Sequence, residues 1–250
     1  MAMKSNLPHP FAFVPRRGKP NLLFVLLHGE SASPEQLFPL AKKIAQAFPL
    51  AMVVLPYAYV PVPVPGSPEG QVVYHWVDPS ILNEHNRASL VAQALPGLIQ
   101  QIQQIQVRYE LSGEQTALGG FSQGACMALE ASLAQPDLAG RVLAFSGLYA
   151  SQPGKAPPAT LLHFFHGSED QQVLGAQVQS MLAHLGELQA DATLDTASEV
   201  GHELHGTLIN QAIVRLTTCV PLRNWEAALG ALAASAPEGV QAASSGTTLH

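Results

Sequence analysis

The chain has 250 residues, of which 47% are apolar and only 12% charged, with a net charge of −6. The apolar share builds a full core, which excludes wholesale disorder. The negative balance excludes a phosphate-backbone binder, because nucleic acid needs a basic field. No apolar run approaches the ~20 residues of a membrane helix. The first twenty residues carry Lys4, Arg16, Arg17 and Lys19 among prolines rather than a signal-like apolar segment. The two cysteines, Cys126 and Cys219, cannot form a disulfide framework of the secreted kind. The expectation is a cytoplasmic protein with no membrane span and no nucleic-acid partner. No P-loop, GxGxxG, HExxH or solenoid repeat occurs.

In chain order, Leu22–Leu27 (LLFVLL) reads as a buried strand ended by His28-Gly29. Pro34 to Phe48 has helical spacing through Leu37, Leu40, Ile44 and Phe48, with Ser33 as cap. Leu50–Leu55 is a second strand. Residues 56–70 hold Pro56, Pro61, Pro63, Pro65 and Pro68, which excludes a helix or central strand and predicts a long loop. Asn83–Leu111 reads as a long helix, kinked or split at Pro96-Gly97. Then follow a strand at Thr116–Phe121, a helix at Gln123–Gln135, and strands at Arg141–Phe145 and Thr160–His166. A helix at Val173–Leu188, a strand at Ala192–Thr196 and a helix at His202–Thr218 complete the pattern, with a short helix at Trp225–Leu229.

Strands alternating with helices predict an α/β fold, a mostly parallel sheet covered on both faces. The 13 residues Leu148 to Thr160 leave no room for a cap domain. One domain is expected over 11–229, between a flexible N-terminus (1–10) and an Ala/Ser/Gly-rich tail (230–250) read as disordered.

Gly120-Phe121-Ser122-Gln123-Gly124 matches G-x-S-x-G between a predicted strand and a predicted helix, the context of a nucleophile elbow. The sharp turn lifts the Ser122 hydroxyl out at the C-terminal edge of the sheet. Small neighbours (Gly119, Gly120, Gly124, Ala125) let strand and helix crowd together. A serine needs a base, and the order Ser, acid, His points to Asp170 and His202, both just past predicted strands. Glu169, Asp195 and His205 are the competitors. The oxyanion donors are expected to be the backbone N–H groups of Gln123 and of Glu30, with Gly29 permitting close approach. His28 reads as a structural hydrogen-bonding residue, and Cys126 as buried packing. His163 and His166 face opposite sides of a strand, and His202 and His205 have no third ligand, so no metal site is expected.

Several blocks resemble one family: LLHG (26–29), HWV (75–77), NEHNR (83–87), LGGFSQGACMALE (118–130), RVLAFSGLYAS (141–151), HGSED (166–170) and ATLDTASEVGHE (192–203). They resemble the phospholipase/carboxylesterase family of α/β-hydrolases, compact lidless serine esterases that include the acyl-protein thioesterases, and the small bacterial esterases most closely. The resemblance runs from about Phe11 to Leu229. It implies hydrolysis of small-molecule carboxylic esters or thioesters without a cofactor, by a monomer or homodimer. It places the nucleophile on Ser122, the acid on Asp170, the base on His202, the oxyanion donors on Glu30 and Gln123, and a tryptophan near the acyl pocket on Trp76. Two departures stand out: HGESAS lacks the family's second glycine after the HG pair, and Gln171 replaces the usual proline after the acid. The Glu30 side chain is therefore expected to point away from the site, and neutral acyl chains are expected as substrates. A non-catalytic binding protein of the same fold is the alternative.

Overall fold

The computed structural model describes residues 8–64, 66–67 and 71–218. The expected helix Trp225–Leu229, the tail 230–250, Cys219 and most of the N-terminal segment lie outside the described residues.

Strands β1 (Phe11–Phe13), β2 (Leu22–Leu27) and β3 (Ala51–Leu55) begin a seven-stranded sheet that continues with β6 (Thr116–Phe121), β7 (Arg141–Phe145), β8 (Leu161–Gly167) and β9 (Ala192–Ala197). Its spatial order is β1-β3-β2-β6-β7-β8-β9. Only β1 runs antiparallel, so the mostly parallel sheet expected from the alternation is present. Helix α1 (Phe38–Ala47) crosses from β2 to β3, preceded by a 3-10 turn at Pro34–Leu37. Helix α3 (Gln123–Ala134) crosses from β6 to β7, and α4 (Gly175–Glu187) from β8 to β9.

The strands are buried on both faces, and successive side chains enter different cores. Leu23, Val25 and Leu27 of β2 join the core formed with α3, α4 and the long helix α2 (Arg87–Tyr109). Phe24 and Leu26 join the core under α1 and α5 (Gly206–Thr218). Residues 146–160 hold neither helix nor strand, and no helix among the described residues is long and apolar enough to cross a membrane.

Four local readings change. The Pro-rich stretch is not all loop: β4 (Val60–Pro63) pairs antiparallel with β5 (Val72–His75) in a separate two-stranded ribbon. Val64 N–H donates to Gln71 O at 2.9 Å. Alternation then turns the nitrogens of Pro61 and Pro63 away from the partner strand, where a missing N–H costs nothing. Helix α2 starts at Arg87 rather than Asn83. Asn83 Oδ1 accepts from His85 N–H (3.0 Å) and Asn86 N–H (3.1 Å), and Asn86 Oδ1 accepts from Asn83 N–H (2.8 Å), side-chain bonds that compete with a helical turn. The same helix is not split at Pro96, because Leu95, Leu98 and Ile102 are buried along one face on both sides of it. Finally, α5 starts at Gly206, so His202 lies in the preceding loop.

The tightest packing is where α3 leaves β6. A Cβ on Gly124 would overlap the carbonyl oxygens of Leu27 and His28, and one on Gly120 would overlap the backbone of Gly124. By contrast, nothing lies within 4 Å of a Cβ built on Gly186, in α4. Opposite outcomes follow for the two glycine-to-alanine changes in urea unfolding. Gly124→Ala should lose about 1–3 kcal/mol through overpacking. Gly186→Ala should gain about 0.5–1 kcal/mol from reduced unfolded-state freedom. Equal effects would contradict this account of the packing.

Candidate active site

Ser122 sits between β6 and α3 with φ 52° and ψ −114°, a left-handed conformation that costs a serine energy and survives because the surroundings enforce it. Its N–H donates to Phe145 O at 2.9 Å, and its carbonyl accepts the Cys126 N–H at 3.1 Å, so the turn is tied to β7 and to the first turn of α3.

Asp170 follows β8 and is 3% exposed. Its Oδ1 accepts the N–H groups of Gln172 and Val173, each at 2.9 Å, and its Oδ2 faces His202 Nδ1 at 2.8 Å. Burial works to raise its carboxyl. The Val173 N–H, the His202 ring and the Gln172 N–H outweigh that and hold it below the ordinary carboxylate value. The departure at Gln171 leaves this untouched, since that side chain is exposed and the donors come from the next two residues. The Phe121 ring packs on the His202 imidazole with centroids 4.9 Å apart. With Nδ1 engaged by Asp170, His202 keeps Nε2 available.

The competitors are occupied elsewhere. Asp195 receives Arg215 Nε (2.7 Å) and Nη2 (2.9 Å) and Gln211 Nε2 (3.0 Å), tying α5 to β9. Glu169 is exposed. His205 Nδ1 accepts the Thr207 N–H at the start of α5. His163 Nδ1 lies 2.8 Å from Thr193 Oγ1. Among the described residues, no group of three or more His, Cys, Asp or Glu could hold a metal ion.

Ser122, Gln123, His202 and Glu30 line one cavity of about 170 Å³, closed on its apolar side by Val77, Leu82 and Val91. No hydrogen bond among the described residues uses the Glu30 or the Gln123 N–H. The Glu30 carboxylate is half exposed and lies 4.0 Å from His75 Nδ1.

A buried polar network holds the loop that carries Glu30. The Ala58 N–H donates to His28 Nε2 at 3.1 Å, so Nδ1 carries the proton and donates to Gly29 O at 2.8 Å. The Gly29 N–H donates to Gln36 Oε1 at 2.7 Å. Trp76 Nε1–H donates to His28 O at 2.8 Å, and the Trp76 N–H donates to Gln123 Oε1 at 2.7 Å. Trp76 is 1% exposed and does not line the cavity, while its neighbour Val77 does. The tryptophan therefore braces the site from beneath, which differs from the pocket position expected for it. An indole whose N–H finds a carbonyl acceptor is buried without penalty. The sequence reading missed Arg87, which lines the same cavity and lay in a block noticed only for its resemblance.

Two buried imidazoles link this architecture to pH. Burial lowers His28 from 6.5 to about 4, opposed by its bond to Gly29 and assisted by His75. Burial and the cations Arg141 and Arg215 lower His163 to about 4 as well, against Asp195. A depressed folded-state pKa adds stability above the unfolded value, which is lost as the pH falls toward the folded one. Urea unfolding should show stability falling from pH 6.5 toward pH 4, by on the order of 2–3 kcal/mol per imidazole. A flat profile across that window would contradict the burial of neutral rings.

Residues 9–220 match the family described as Phospholipase/Carboxylesterase. Over 207 residues the chain is 33% identical to Esterase YpfH of Escherichia coli K12, spanning 83% of this chain and 87% of that one. Esterase PE8 superposes with a TM-score of 0.73 at 28% identity, covering 85% of this chain and 99% of that chain. A carboxylesterase of Bacillus cereus superposes with a TM-score of 0.66 at 14% identity, over 84% of this chain and 93% of its own, a likeness of fold. The family match and the identity to an esterase over most of both chains converge: the chain belongs to the phospholipase/carboxylesterase family of α/β-hydrolases.

Proposed function

We propose that this protein is a serine carboxylesterase acting through Ser122, His202 and Asp170 and an acyl-enzyme intermediate. The observation that carries the reading is the 2.8 Å contact of His202 Nδ1 with an Asp170 carboxylate held ionised, on a ring that lines one cavity with the strained Ser122.

In the first step Ser122 Oγ bonds to the ester carbonyl carbon and its proton passes to His202 Nε2. The imidazolium so formed is stabilised by Asp170. The carbonyl electron pair moves onto oxygen, where the N–H groups of Glu30 and Gln123 receive it. Donors fixed in advance cost no reorganisation as the charge develops. The carbon–oxygen bond to the alcohol then breaks, and the alcohol leaves with the proton from His202. Water repeats the sequence on the acyl-enzyme, releases the acid and restores Ser122.

Cavity size favours short acyl groups. About 170 Å³ lies below the ~300–1,000 Å³ typical of sites for drug-sized ligands. Thioesters of the same acyl groups pass through the same tetrahedral intermediate and belong in the substrate panel.

Hydrolysis of p-nitrophenyl butyrate tests the assignments. Ser122→Ala should lose at least about 10⁴-fold in kcat, and Asp170→Asn about 10³–10⁴-fold, with thermal unfolding close to that of the parent. Undiminished turnover by Ser122→Ala would overturn the reading. Parent-like rates in Asp170→Asn would remove Asp170 from it.

A further inference from the structure

Among the described residues, Arg87 is the one lysine or arginine lining the cavity that holds Ser122 and His202. It opens α2 and lines that cavity together with Cys126. Burial pushes the Cys126 thiol up to about 12, so this neighbour is a neutral thiol rather than a counter-ion. None of the ion pairs among the described residues involves Arg87.

Among the described residues, none of the charged and titratable groups around it pairs with it. Glu130 is near enough to feel Arg87, but it forms no ion pair with it, and its carboxylate accepts the Ala150 N–H at 2.7 Å. Glu30 lies beside His75, on the oxyanion side. His202 is engaged by Asp170. A guanidinium without a bound carboxylate therefore stands at the wall of the cavity that holds Ser122 and His202, beside the apolar side chains of Val77, Leu82 and Val91. Guanidinium recognises carboxylate through paired, charge-assisted hydrogen bonds.

The shared cavity limits the length of the ligand. Cys126 lies one helical turn after Ser122, through the bond from its N–H to the Ser122 carbonyl. Arg87, Cys126 and Ser122 line the same cavity of about 170 Å³, so a ligand that reaches from the nucleophile to the guanidinium is confined to that short space. A short acyl chain ending in a carboxylate fits within it.

We propose that Arg87 makes this enzyme selective for half-esters of short dicarboxylic acids, holding the free carboxylate while Ser122 attacks the ester carbonyl at the other end. The products are the dicarboxylate and the alcohol, formed by the two steps given above. The proposal rests on the esterase reading of the same cavity and replaces the expectation of neutral acyl chains.

Monomethyl glutarate and methyl valerate have acyl chains of the same carbon count and differ in the terminal carboxylate. The parent protein should favour the half-ester in kcat/KM. Arg87→Gln should lower the half-ester/neutral-ester ratio by at least ten-fold, about the value of one hydrogen bond to a charged group. Arg87→Lys should keep part of the preference. A role confined to steadying Glu130 would shift the unfolding temperature and leave the ratio alone. An unchanged ratio in Arg87→Gln, or a parent preference for valerate, would overturn the proposal while the esterase reading stands. Covalent labelling of Ser122 by a fluorophosphonate with neither methyl ester hydrolysed would do the same. Neither hydrolysis nor labelling would bring down both.

Discussion

The close approach of α3 to strands β2 and β6 organises the candidate site. Where Gly124 lies against the carbonyls of Leu27 and His28, no side chain fits, and the chain must reverse within one residue. Ser122 absorbs that reversal at φ 52°. The strain is local, but its consequences are not. It puts the serine at the carboxyl edge of the sheet, points the start of α3 at the cavity, and leaves the Gln123 N–H without an acceptor among the described residues. In open α/β sheets that edge is where ligands bind.

A second constraint is polar and buried. His28, Trp76, Gln123 and Gln36 link the loop after β2, the β4–β5 ribbon and the elbow through hydrogen bonds of 2.7–3.1 Å. A fully satisfied buried network specifies one arrangement, because each broken bond leaves an unpaired group out of water. Through it the Glu30 N–H is held in relation to the Gln123 N–H. Gln123 thus serves twice, its side chain anchoring the ribbon and its backbone facing the developing charge in the proposed mechanism. The Glu30 carboxylate, the feature that fitted least well, is half exposed and paired loosely with His75.

Much of this was legible in the residues, and the misses share a cause. Buried strands declared themselves as short aliphatic runs, and the elbow as a serine among glycines after one of them. Asp170 and His202 followed from chain order and from strand ends, without any distance being known. What escaped the reading depends on partners remote in sequence. Phe11–Phe13 is a strand only because β3 offers an edge. The proline-rich segment is a ribbon because residues 72–75 return alongside it. Asn83 to Asn86 look helical by spacing, yet their side chains bind nearby backbone instead. Trp76 was assigned a pocket from resemblance, while its indole N–H and backbone N–H are spent on His28 and Gln123. Arg87 stood out only as part of a resembling block, since an arginine at a helix start is ordinary until the cavity beside it is seen.

The account rests on one chemical event, attack by a Ser122 hydroxyl activated by His202. Incubation with a fluorophosphonate followed by peptide mass spectrometry reads that event directly. The expected result is a single phosphonyl adduct on the peptide containing Ser122, absent from Ser122→Ala and strongly slowed in His202→Ala. No adduct on folded protein, or an adduct on another serine that persists in Ser122→Ala, would contradict it.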